Sequence, residues 1–409
     1  MNVQLISTDE VGFQPLGLAT VIPFLKDYAD LKVIDYWLSK EAPNPMCDLI
    51  AFSVPTFGAI KTSIDLAKSL REQGYVKPLV FYNQYATVHP ESFLLDKLCY
   101  VVNGEFETVL EELLGAYQKG EPLEKVDFIC SLANRQPAKK LRRKKFSIPD
   151  RSMLPELSNY AYKNGKLVGN IETMRGCAHG CTYCSVFAAY GKRVVKIPDE
   201  IILQDIKQVV EMGATHITFI DADFFSTGKK GVRLVKQMHD KYPQLTFDIT
   251  LRLDDIVRYR DFFPDLKSYG CIEVTSAFEF PSDLVLKEFD KRITLKEMNQ
   301  GLQILRNIGI KIVPTFISYN PWANSEDMEA FGRYLKENDL MKDIDDMQLK
   351  TRLLLYKGSP LLQNETIKKL ELTDKGTYFD WKHPDSKVDE MYKNEVSDTD
   401  VGMRCCIKG

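Results

Sequence analysis

The stretch MRGCAHGCTYCSVF, residues 174–187, brings three cysteines together on one short segment. Cys177, Cys181 and Cys184 follow one another with the spacing Cys-x3-Cys-x2-Cys. Three thiolates on one tight loop can ligate three corners of a [4Fe–4S] cubane, which leaves one iron without a protein ligand. Gly176 and Gly180 let the backbone pass close to such a cluster, because glycine has no Cβ. The spacing therefore predicts an iron–sulfur site.

A zinc site is the alternative for the same loop, because His179 lies between the first two cysteines and would complete a Cys3His set. Zinc sites usually take pairs of ligands from two separate segments. The sequence has no second Cys-x2-Cys or His pair elsewhere. The spacing therefore favours the iron–sulfur cluster over zinc.

Alternating strand and helix patterns flank the loop on both sides. Helical spacing of apolar residues is clearest over residues 62–73, 107–117, 201–212 and 296–307. Predicted strands cover residues 31–36, 48–54, 78–82 and 100–103 before the loop, and 169–174, 216–220, 246–251, 271–277, 310–317 and 347–355 around and after it. Strands and helices that alternate at these lengths predict parallel βαβ units.

The pattern predicts an α/β fold with four parts. Residues 1–120 are expected to form a doubly wound Rossmann-like domain, and residues 121–165 a linker. Within the linker the basic run AKKLRRKK, residues 138–145, is interpreted as a solvated connector, with a partner-binding strip as the alternative. Residues 166–360 are expected to form a partial, TIM-like β/α barrel whose chemistry lies at the carboxyl ends of the strands. Residues 361–409 are expected to be a C-terminal extension.

Composition restricts the class of partner. Hydrophobic residues make up 44% of the 409 residues, charged residues make up 27%, and the formal net charge is −3. This charge gives no support for a nucleic-acid partner or an anionic membrane. No signal peptide or membrane-spanning stretch is visible, so the expected location is the cytoplasm. Nine cysteines without a secretory signal indicate metal binding or buried thiols rather than disulfides.

The cysteine spacing, with Tyr183 at the aromatic position before the third cysteine, resembles the signature of the radical S-adenosylmethionine (SAM) superfamily. The resemblance implies a [4Fe–4S] cluster that reductively cleaves SAM, a small-molecule substrate and a flavodoxin-type reductase as electron donor. It also implies that Tyr183 helps to hold the adenine. FIDADFF, residues 219–225, is similar to the family's acidic second-strand segment, which implies that Asp221 or Asp223 meets the SAM ammonium.

Two further segments are similar to parts of radical SAM barrels. LRLDDI, residues 251–256, resembles the third-strand Arg-x-Asp stretch and makes Arg252 a candidate for binding the SAM carboxylate. TSAFEFPSDLVLKEFDK, residues 275–291, resembles the Glu-Ser-Gly-Ser segment and places Glu279 at its glutamate. Phe280 and Pro281 replace the small residues of that family segment.

Residues 1–120 resemble the cobalamin-binding domain that precedes many radical SAM barrels. The resemblance rests on CDLIAFSVPTFGA, FYNQYATVHPES and VVNGEFETVL at residues 47–59, 81–92 and 101–110. The Asp-x-His-x-x-Gly loop that supplies a cobalt ligand in many B12 proteins is missing, since no histidine precedes His89. Members of the wider family bind cobalamin without it. The sequence favours a structural Rossmann-like domain over functional cobalamin, and His89 is expected to be an ordinary loop histidine.

The chain ends in MRCCIKG, where Arg404, Cys405 and Cys406 are adjacent. This tail resembles that of the radical SAM enzymes of arsinothricin biosynthesis, although Gly409 replaces a third cysteine. The resemblance implies that arsenite, held by the two tail thiolates, receives the 3-amino-3-carboxypropyl group of SAM. Cys271 is a candidate third sulfur donor. The alternative is a cobalamin-dependent radical SAM C-methyltransferase of natural-product biosynthesis.

Overall fold

The computed structural model of the protein describes residues 1–143, 145–344 and 346–395. The chain packs as two compact units. The first contains residues 1–176 and 189–217, and the second contains residues 177–188 and the chain from residue 218 onward. The first unit takes residues from both sides of the cysteine loop, and the second contains the loop itself.

The first 130 residues form a six-stranded sheet with the order β2-β1-β3-β4-β5-β6. Strands β1 to β5 run parallel, and β6 is antiparallel to β5. The strands are β1 (Asn2–Ser7), β2 (Asp30–Asp35), β3 (Leu49–Ser53), β4 (Leu79–Tyr82), β5 (Cys99–Val102) and β6 (Ile129–Cys130). The helices are α1 (Leu16–Ala19), α2 (Ile22–Leu25), α3 (Tyr36–Ser39), α4 (Phe57–Glu72), α5 (Gln84–Val88), α6 (Pro90–Phe93) and α7 (Glu107–Gln118).

Helices cover both faces of this sheet. Val80 and Tyr82 of β4 pack in one apolar cluster with α1, α2 and α7. Leu79 and Phe81 alternate with them and pack in a second cluster with α4, α5 and α6. Because successive strand residues point to opposite faces, a sheet buried on both sides produces uninterrupted apolar runs. The predicted doubly wound Rossmann-like fold is confirmed.

The predicted linker differs from the structure. Strand β6 lies inside residues 121–165 and extends the first sheet. Further along, the backbone N–H of Glu105 donates to Lys140 O at 2.8 Å, and that of Lys140 donates to Asn103 O at 2.8 Å. The basic run is therefore fastened to the end of β5, and the interpretation of its whole length as a solvated connector is wrong.

A buried ionic cluster accounts for one residue of the basic run. The Arg143 guanidinium forms ion pairs with Glu105 and Glu107, and Arg175 binds the same two carboxylates and Glu172. Burial raises the pKa of Glu105 to about 7, against the opposing charge of Arg175. Burial acts the same way on Glu107, but the two guanidinium groups outweigh it and lower its pKa. A sequence pattern cannot reveal these pairings, because the partners come from separate segments.

The rest of the described chain contains eleven further strands, β7 (Tyr162–Lys163), β8 (Lys166–Ile171), β9 (Met174–Gly176), β10 (Val194–Lys196), β11 (His216–Phe219), β12 (Thr246–Leu251), β13 (Cys271–Glu279), β14 (Lys311–Phe316), β15 (Leu355–Tyr356), β16 (Leu372–Asp374) and β17 (Tyr378–Trp381). Its helices are α8 (Ser185–Tyr190), α9 (Asp199–Glu211), α10 (Lys230–Lys241), α11 (Leu253–Arg258), α12 (Phe263–Ser268), α13 (Asp283–Glu288), α14 (Leu295–Ile308), α15 (Ser325–Glu337), α16 (Asp346–Leu349) and α17 (Ser386–Glu395). Several shorter 3₁₀ turns connect them.

In the second unit β14, β13, β12 and the end of β11 are neighbours in that order, and β12, β13 and β14 run parallel. In the first unit β8 lies between β7 and the start of β11. The predicted partial barrel is confirmed as an open half-barrel. The predicted strand over residues 347–355 is wrong. Its start is α16, and its middle retains only a single parallel bridge between Tyr319 and Arg352. Leucine-rich sequence satisfies a helical turn as readily as a strand.

The predicted C-terminal extension contains ordered structure as far as it is described. Strands β15, β17 and β16 form a small antiparallel sheet. The Arg352 guanidinium lies 3.9 Å from the centre of the Trp381 ring and donates to Asp389 Oδ1 at 2.8 Å, which fastens α17 to this sheet. Across the described residues, no helix combines the length and the apolar character that crossing a bilayer requires.

Candidate functional site

The cysteine loop begins where β9 ends. Gly176 has φ +89°, and a Cβ at this position would lie 2.1 Å from Arg193 O, so only glycine fits. Cys181 is buried, and Cys177 and Cys184 are half-buried. All three are free thiols. The set of three soft ligands on one loop fits the three protein-bound corners of a [4Fe–4S] cluster.

The alternative zinc site is not favoured by this geometry. Among the described residues, the compact donor set at the loop consists of Cys177, His179 and Asp223, whose ligand atoms lie within 4.8 Å of one another. The three thiols do not form such a set, although Zn–S bonds in a tetrahedral site bring sulfurs to about 3.8 Å from one another. In the part of the chain that the structure describes, the loop therefore does not present a compact Cys3His set of zinc ligands.

His179 is held by two carboxylates of the second unit. Its Nε2 lies 3.2 Å from Asp223 Oδ2 and 3.2 Å from Asp255 Oδ2. Burial lowers the pKa of His179, but the hydrogen bonds to Asp223 and Asp255 outweigh it, and the pKa lies above its ordinary value. The sequence indicated His179 only as a zinc ligand, and its position between two acidic side chains was not predicted.

Asp223 offers one unused oxygen. Its Oδ2 accepts a hydrogen bond from Ser226 Oγ at 2.8 Å, while its Oδ1 is buried without a hydrogen-bond partner. An unpaired buried carboxylate oxygen is costly unless a ligand supplies a donor. Asp223 therefore fits the predicted role of meeting the SAM ammonium. Asp221, two residues earlier, is buried as well.

Arg252 follows β12 and lies against the cysteine loop. Its Nη1 donates to Cys181 Sγ at 3.2 Å, and its Nε donates to Asp254 Oδ1 at 2.9 Å. Its Nη2 donates to the backbone oxygen of Lys291. The side chain predicted to bind the SAM carboxylate is thus engaged with one of the predicted cluster ligands.

Tyr183 and Glu279 meet in a buried network with a third residue. The Tyr183 hydroxyl donates to Glu279, whose Oε1 also accepts from Lys291 Nζ at 2.6 Å. Lys291 Nζ further donates to the tyrosine oxygen at 3.2 Å. Phe289 packs on the Tyr183 ring with a centroid separation of 4.6 Å. Lys291 was not predicted as a site residue, because its charged neighbours Asp290 and Arg292 are typical of an exposed segment.

The backbone at Glu279 explains how its side chain reaches this network. Glu279 has φ +59°, in a region that residues other than glycine rarely adopt, and the register between β13 and β14 shifts between Ala277 and Glu279. Such a bulge at a strand end redirects the side chain that follows. Phe280 and Pro281, which depart from the family pattern, come directly after this bulge.

One face of strands β12–β14, here termed the open face, is only half-buried. The register aligns Thr250 with Thr275 and Val313, and Ala277 with Thr315. These five side chains alternate with buried neighbours and carry no charge. Nearer the amino ends of the strands, the same face carries a charged row, Asp248, Glu273 and Lys311.

The tail residues Arg404, Cys405 and Cys406 lie outside the described residues. Cys271, the candidate third sulfur donor, begins β13, and Glu279 ends it, so about 26 Å of extended chain separates the two positions. Burial raises the pKa of the Cys271 thiol well above its ordinary value. Cys271 therefore does not fit a thiolate donor beside the cysteine loop.

The carboxyl edge of the first sheet is polar. Ser7 and Ser53 end β1 and β3, the two strands between which the strand order reverses, and Asn83 and Asn103 follow β4 and β5. Ligands of open α/β sheets bind at this edge. Asn103 Oδ1 is buried without a hydrogen-bond partner. Gly17 packs directly against this edge, since a Cβ at its position would lie 2.4 Å from Ser53 Oγ.

The sequence pattern of the Radical SAM superfamily matches residues 171–335. An uncharacterized methyltransferase of Pyrococcus horikoshii is 23% identical over 402 residues, which is 94% of this chain and 85% of the relative. The hopanoid C-3 methylase of Methylococcus capsulatus is 23% identical over 321 residues, which is 76% of this chain and 62% of the methylase.

Two solved structures share the fold. The cobalamin-dependent SAM radical enzyme OxsB, solved with aqua-cobalamin and SAM, superposes with a TM-score of 0.75 at 14% identity, over 96% of this chain and 66% of OxsB. The radical SAM methyltransferase TsrM of Kitasatospora setae, solved with cobalamin and a [4Fe–4S] cluster, gives 0.68 at 16% identity, over 83% of this chain and 73% of TsrM. Residues 171–335 therefore form a radical SAM domain, and the chain is similar in fold to the cobalamin-dependent SAM radical enzyme OxsB and to the radical SAM methyltransferase TsrM.

Proposed function

We propose that this chain is a cobalamin-dependent radical SAM methyltransferase that acts on an uncharged part of a small molecule. The observation that carries the proposal is the similarity to OxsB over 96% of the chain, which includes the Rossmann-like sheet as well as the half-barrel. The relative from Pyrococcus horikoshii, which matches 94% of the chain, is named a methyltransferase, and so is TsrM. This proposal replaces the expectation that cobalamin is not favoured.

The chain's own residues have the following roles in this proposal. Cys177, Cys181 and Cys184 hold the [4Fe–4S] cluster, and Asp223 Oδ1 accepts from the SAM ammonium. Tyr183, fixed by Phe289 on its face, borders the adenine. When bound, the cluster and cobalamin supply the one-electron chemistry and the methyl carrier.

The first sheet supports cobalamin through its polar edge. Corrinoids carry amide groups around their rim, and Asn103 Oδ1, which has no hydrogen-bond partner, offers one of them a hydrogen bond. A histidine ligand to cobalt is absent from the loop that follows β1. His89, in the first unit, stacks on Tyr85 with a centroid separation of 6.3 Å. We therefore propose that cobalt binds without a histidine of this chain.

The part of the open face toward the carboxyl ends of the strands, beyond the charged row, supports the choice of acceptor. Thr250, Thr275, Ala277, Val313 and Thr315 present methyl groups and hydroxyls but no charge. A carboxylate or phosphate placed against them would lose its hydration without gaining a counter-charge. An aliphatic or hydroxylated carbon skeleton fits better.

Aminocarboxypropyl transfer to arsenite stays an untested prediction, and the comparisons support it less well. Its tail residues Cys405 and Cys406 lie outside the described residues. Trivalent arsenic prefers three sulfur ligands, and Cys271 lies at the wrong end of β13 to supply the third.

One experiment separates the two reactions. Protein purified with hydroxocobalamin, with its cluster reconstituted anaerobically, is incubated with SAM and dithionite, with and without arsenite, and products are identified by mass spectrometry. A parallel reaction replaces dithionite with flavodoxin and its reductase, because a flavodoxin-type donor is part of the proposal. We expect bound corrinoid absorbance, 5′-deoxyadenosine, and S-adenosylhomocysteine that depends on the bound cobalamin.

The control is Cys177→Ala, which removes a cluster ligand and is expected to abolish 5′-deoxyadenosine. If 5′-methylthioadenosine and an arsenic-containing amino acid form instead, methyl transfer is wrong and the arsenite reaction is established. If no corrinoid binds and no S-adenosylhomocysteine forms, the cobalamin part of the proposal is wrong.

A further inference from the structure

The Arg252 guanidinium is placed on the sulfur of a single cluster ligand. Its Nη1 donates to Cys181 Sγ at 3.2 Å, and both side chains are buried. By comparison, Cys177 Sγ accepts from the backbone N–H of His179 at 3.5 Å and lies 3.8 Å from the neutral Ser226 hydroxyl, which donates its proton to Asp223. Among these contacts the one with Cys181 is the only one made by a permanent cation.

The guanidinium is held rigidly in this position. Asp254 accepts from Nε at 2.9 Å and from Nη2 at 3.4 Å, and the Lys291 backbone oxygen accepts from Nη2 as well. Lys291 is itself fixed by its ion pair with Glu279. Four of the five guanidinium N–H groups are therefore in use, which leaves one on Nη1.

This arrangement does not suit the role that the sequence predicted for Arg252. Arginine binds a carboxylate most strongly with two parallel N–H groups. Here Asp254 already occupies the Nε and Nη2 edge. A SAM carboxylate would have to displace Asp254 or Cys181 to gain the same geometry.

A hydrogen bond from a cation to a cluster sulfur changes the free energy of reduction. Reduction adds one negative charge to the cluster, and a nearby guanidinium stabilises the added charge, more so where burial limits screening. Hydrogen bonds to the sulfurs and net charge are among the factors that set the potentials of iron–sulfur clusters. The contact therefore makes the cluster easier to reduce.

We propose that Arg252 is a positioning residue that raises the reduction potential of the [4Fe–4S] cluster through Cys181, with Asp254 holding its guanidinium in place. The inference rests on the radical SAM assignment. It gives the arginine that follows β12 a function in electron transfer to the cluster, before SAM is bound.

The test measures the reduction potential of the reconstituted, SAM-free protein by anaerobic titration, with the reduced cluster followed by electron paramagnetic resonance. In Arg252→Gln we expect the ratio of reduced to oxidised cluster at a fixed potential to fall about tenfold, which is about 59 mV for one electron. Arg252→Lys keeps the charge without the fork and is expected to shift less. Arg333→Gln, on the exposed side of α15, is the control and is expected to leave the potential unchanged.

Several results would overturn the proposal or support it. An unchanged potential in Arg252→Gln, with weaker SAM binding, would establish the carboxylate role instead. If Arg252→Gln does not retain iron, Arg252→Lys decides, since it keeps the positive charge but lacks the N–H groups that reach Asp254 and Cys181 together. A shift to lower potential in that variant supports the proposal, and an unshifted potential refutes it. The readout requires neither SAM nor acceptor, so its failure is distinguishable from failure of methyl transfer.

Discussion

Replacing Lys291 by methionine tests whether its ion pair with Glu279, in the network that also contains Tyr183, stabilises the protein or is dispensable. Lys291 is 2% exposed, and its Nζ lies 2.6 Å from Glu279 Oε1. Methionine keeps most of the side-chain volume but removes the ammonium. The Glu279 carboxylate would then remain buried, with the Tyr183 hydroxyl as its remaining side-chain donor in this network.

The expected cost follows from this burial. Removing one partner of a buried ion pair typically lowers the free energy of unfolding by about 3–5 kcal/mol, because the other charge is left without compensation. Neutralising both partners is far less costly. The double variant Lys291→Met with Glu279→Gln is therefore expected to recover at least about 2 kcal/mol of the single variant's loss.

Lys311, the first residue of β14, provides a control with the same substitution. Lys311 pairs with Glu273 at 3.2 Å, but its side chain is 52% exposed. Because water still solvates the Lys311 side chain, Lys311→Met is expected to lower the free energy of unfolding by clearly less than Lys291→Met, although its partner Glu273 is buried. The two substitutions are chemically identical and differ in burial.

The assay is urea unfolding of the cluster-free protein under anaerobic conditions, followed by circular dichroism. The comparison requires that the free energy of unfolding falls with urea concentration at a similar slope in all variants. The reasoning fails if Lys291→Met costs no more than Lys311→Met. It also fails if the double variant is as unstable as the single one, because the loss would then come from packing rather than from the unpaired Glu279.

Three other substitutions probe the loop, the first unit and the SAM site. Gly176→Ala is expected to lower the free energy of unfolding by about 2 kcal/mol or more and to reduce iron content, because its Cβ would lie 2.1 Å from Arg193 O. The control Gly191→Ala, which has open space around the Cβ, is expected to lower the free energy of unfolding by about 1 kcal/mol. Glu105→Gln is expected to flatten the pH dependence of stability. Because the pKa of Glu105 is raised to about 7 in the folded protein, the wild type is expected to lose roughly 3 kcal/mol of stability as the pH rises from about 4.5 to 7. Urea unfolding at several pH values measures this loss. The prediction is wrong if the free energies of unfolding of the wild type and of Glu105→Gln change with pH in parallel. Asp223→Asn is expected to weaken SAM binding about tenfold or more in isothermal titration, with iron content unchanged, and wild-type affinity would remove Asp223 from the SAM site.

The open face and the Tyr183 network suggest how the half-barrel divides its tasks. Charged side chains capable of holding SAM and tuning the cluster lie on the loops that follow β11, β12 and β13. The strand surface between them is uncharged at Thr250, Thr275 and Val313. Variation of the acceptor among related enzymes is expected to appear on this surface rather than on the loops.

The sequence was sufficient where the relevant physics is local. Ligand spacing on one loop indicated the iron–sulfur site, because three cysteines within a short segment meet whatever the rest of the chain does. The alternation of buried strands with amphipathic helices predicted the α/β class for the same reason. Strand β1 was not predicted, and the segment over residues 347–355 was assigned as a strand, because short apolar runs fit either structure.

Only the tertiary structure decided which charged groups meet. Arg252 and Cys181 are 71 residues apart in the chain, and Lys291 and Tyr183 are 108 apart. Arg143 appeared to belong to a solvated basic run, yet it pairs with Glu105 and Glu107 in the interior. A buried charge is stable only beside its partner, and which partner it reaches depends on strand order, register and the bulge that ends a strand. These are properties of the folded sheet that no local pattern of residues contains.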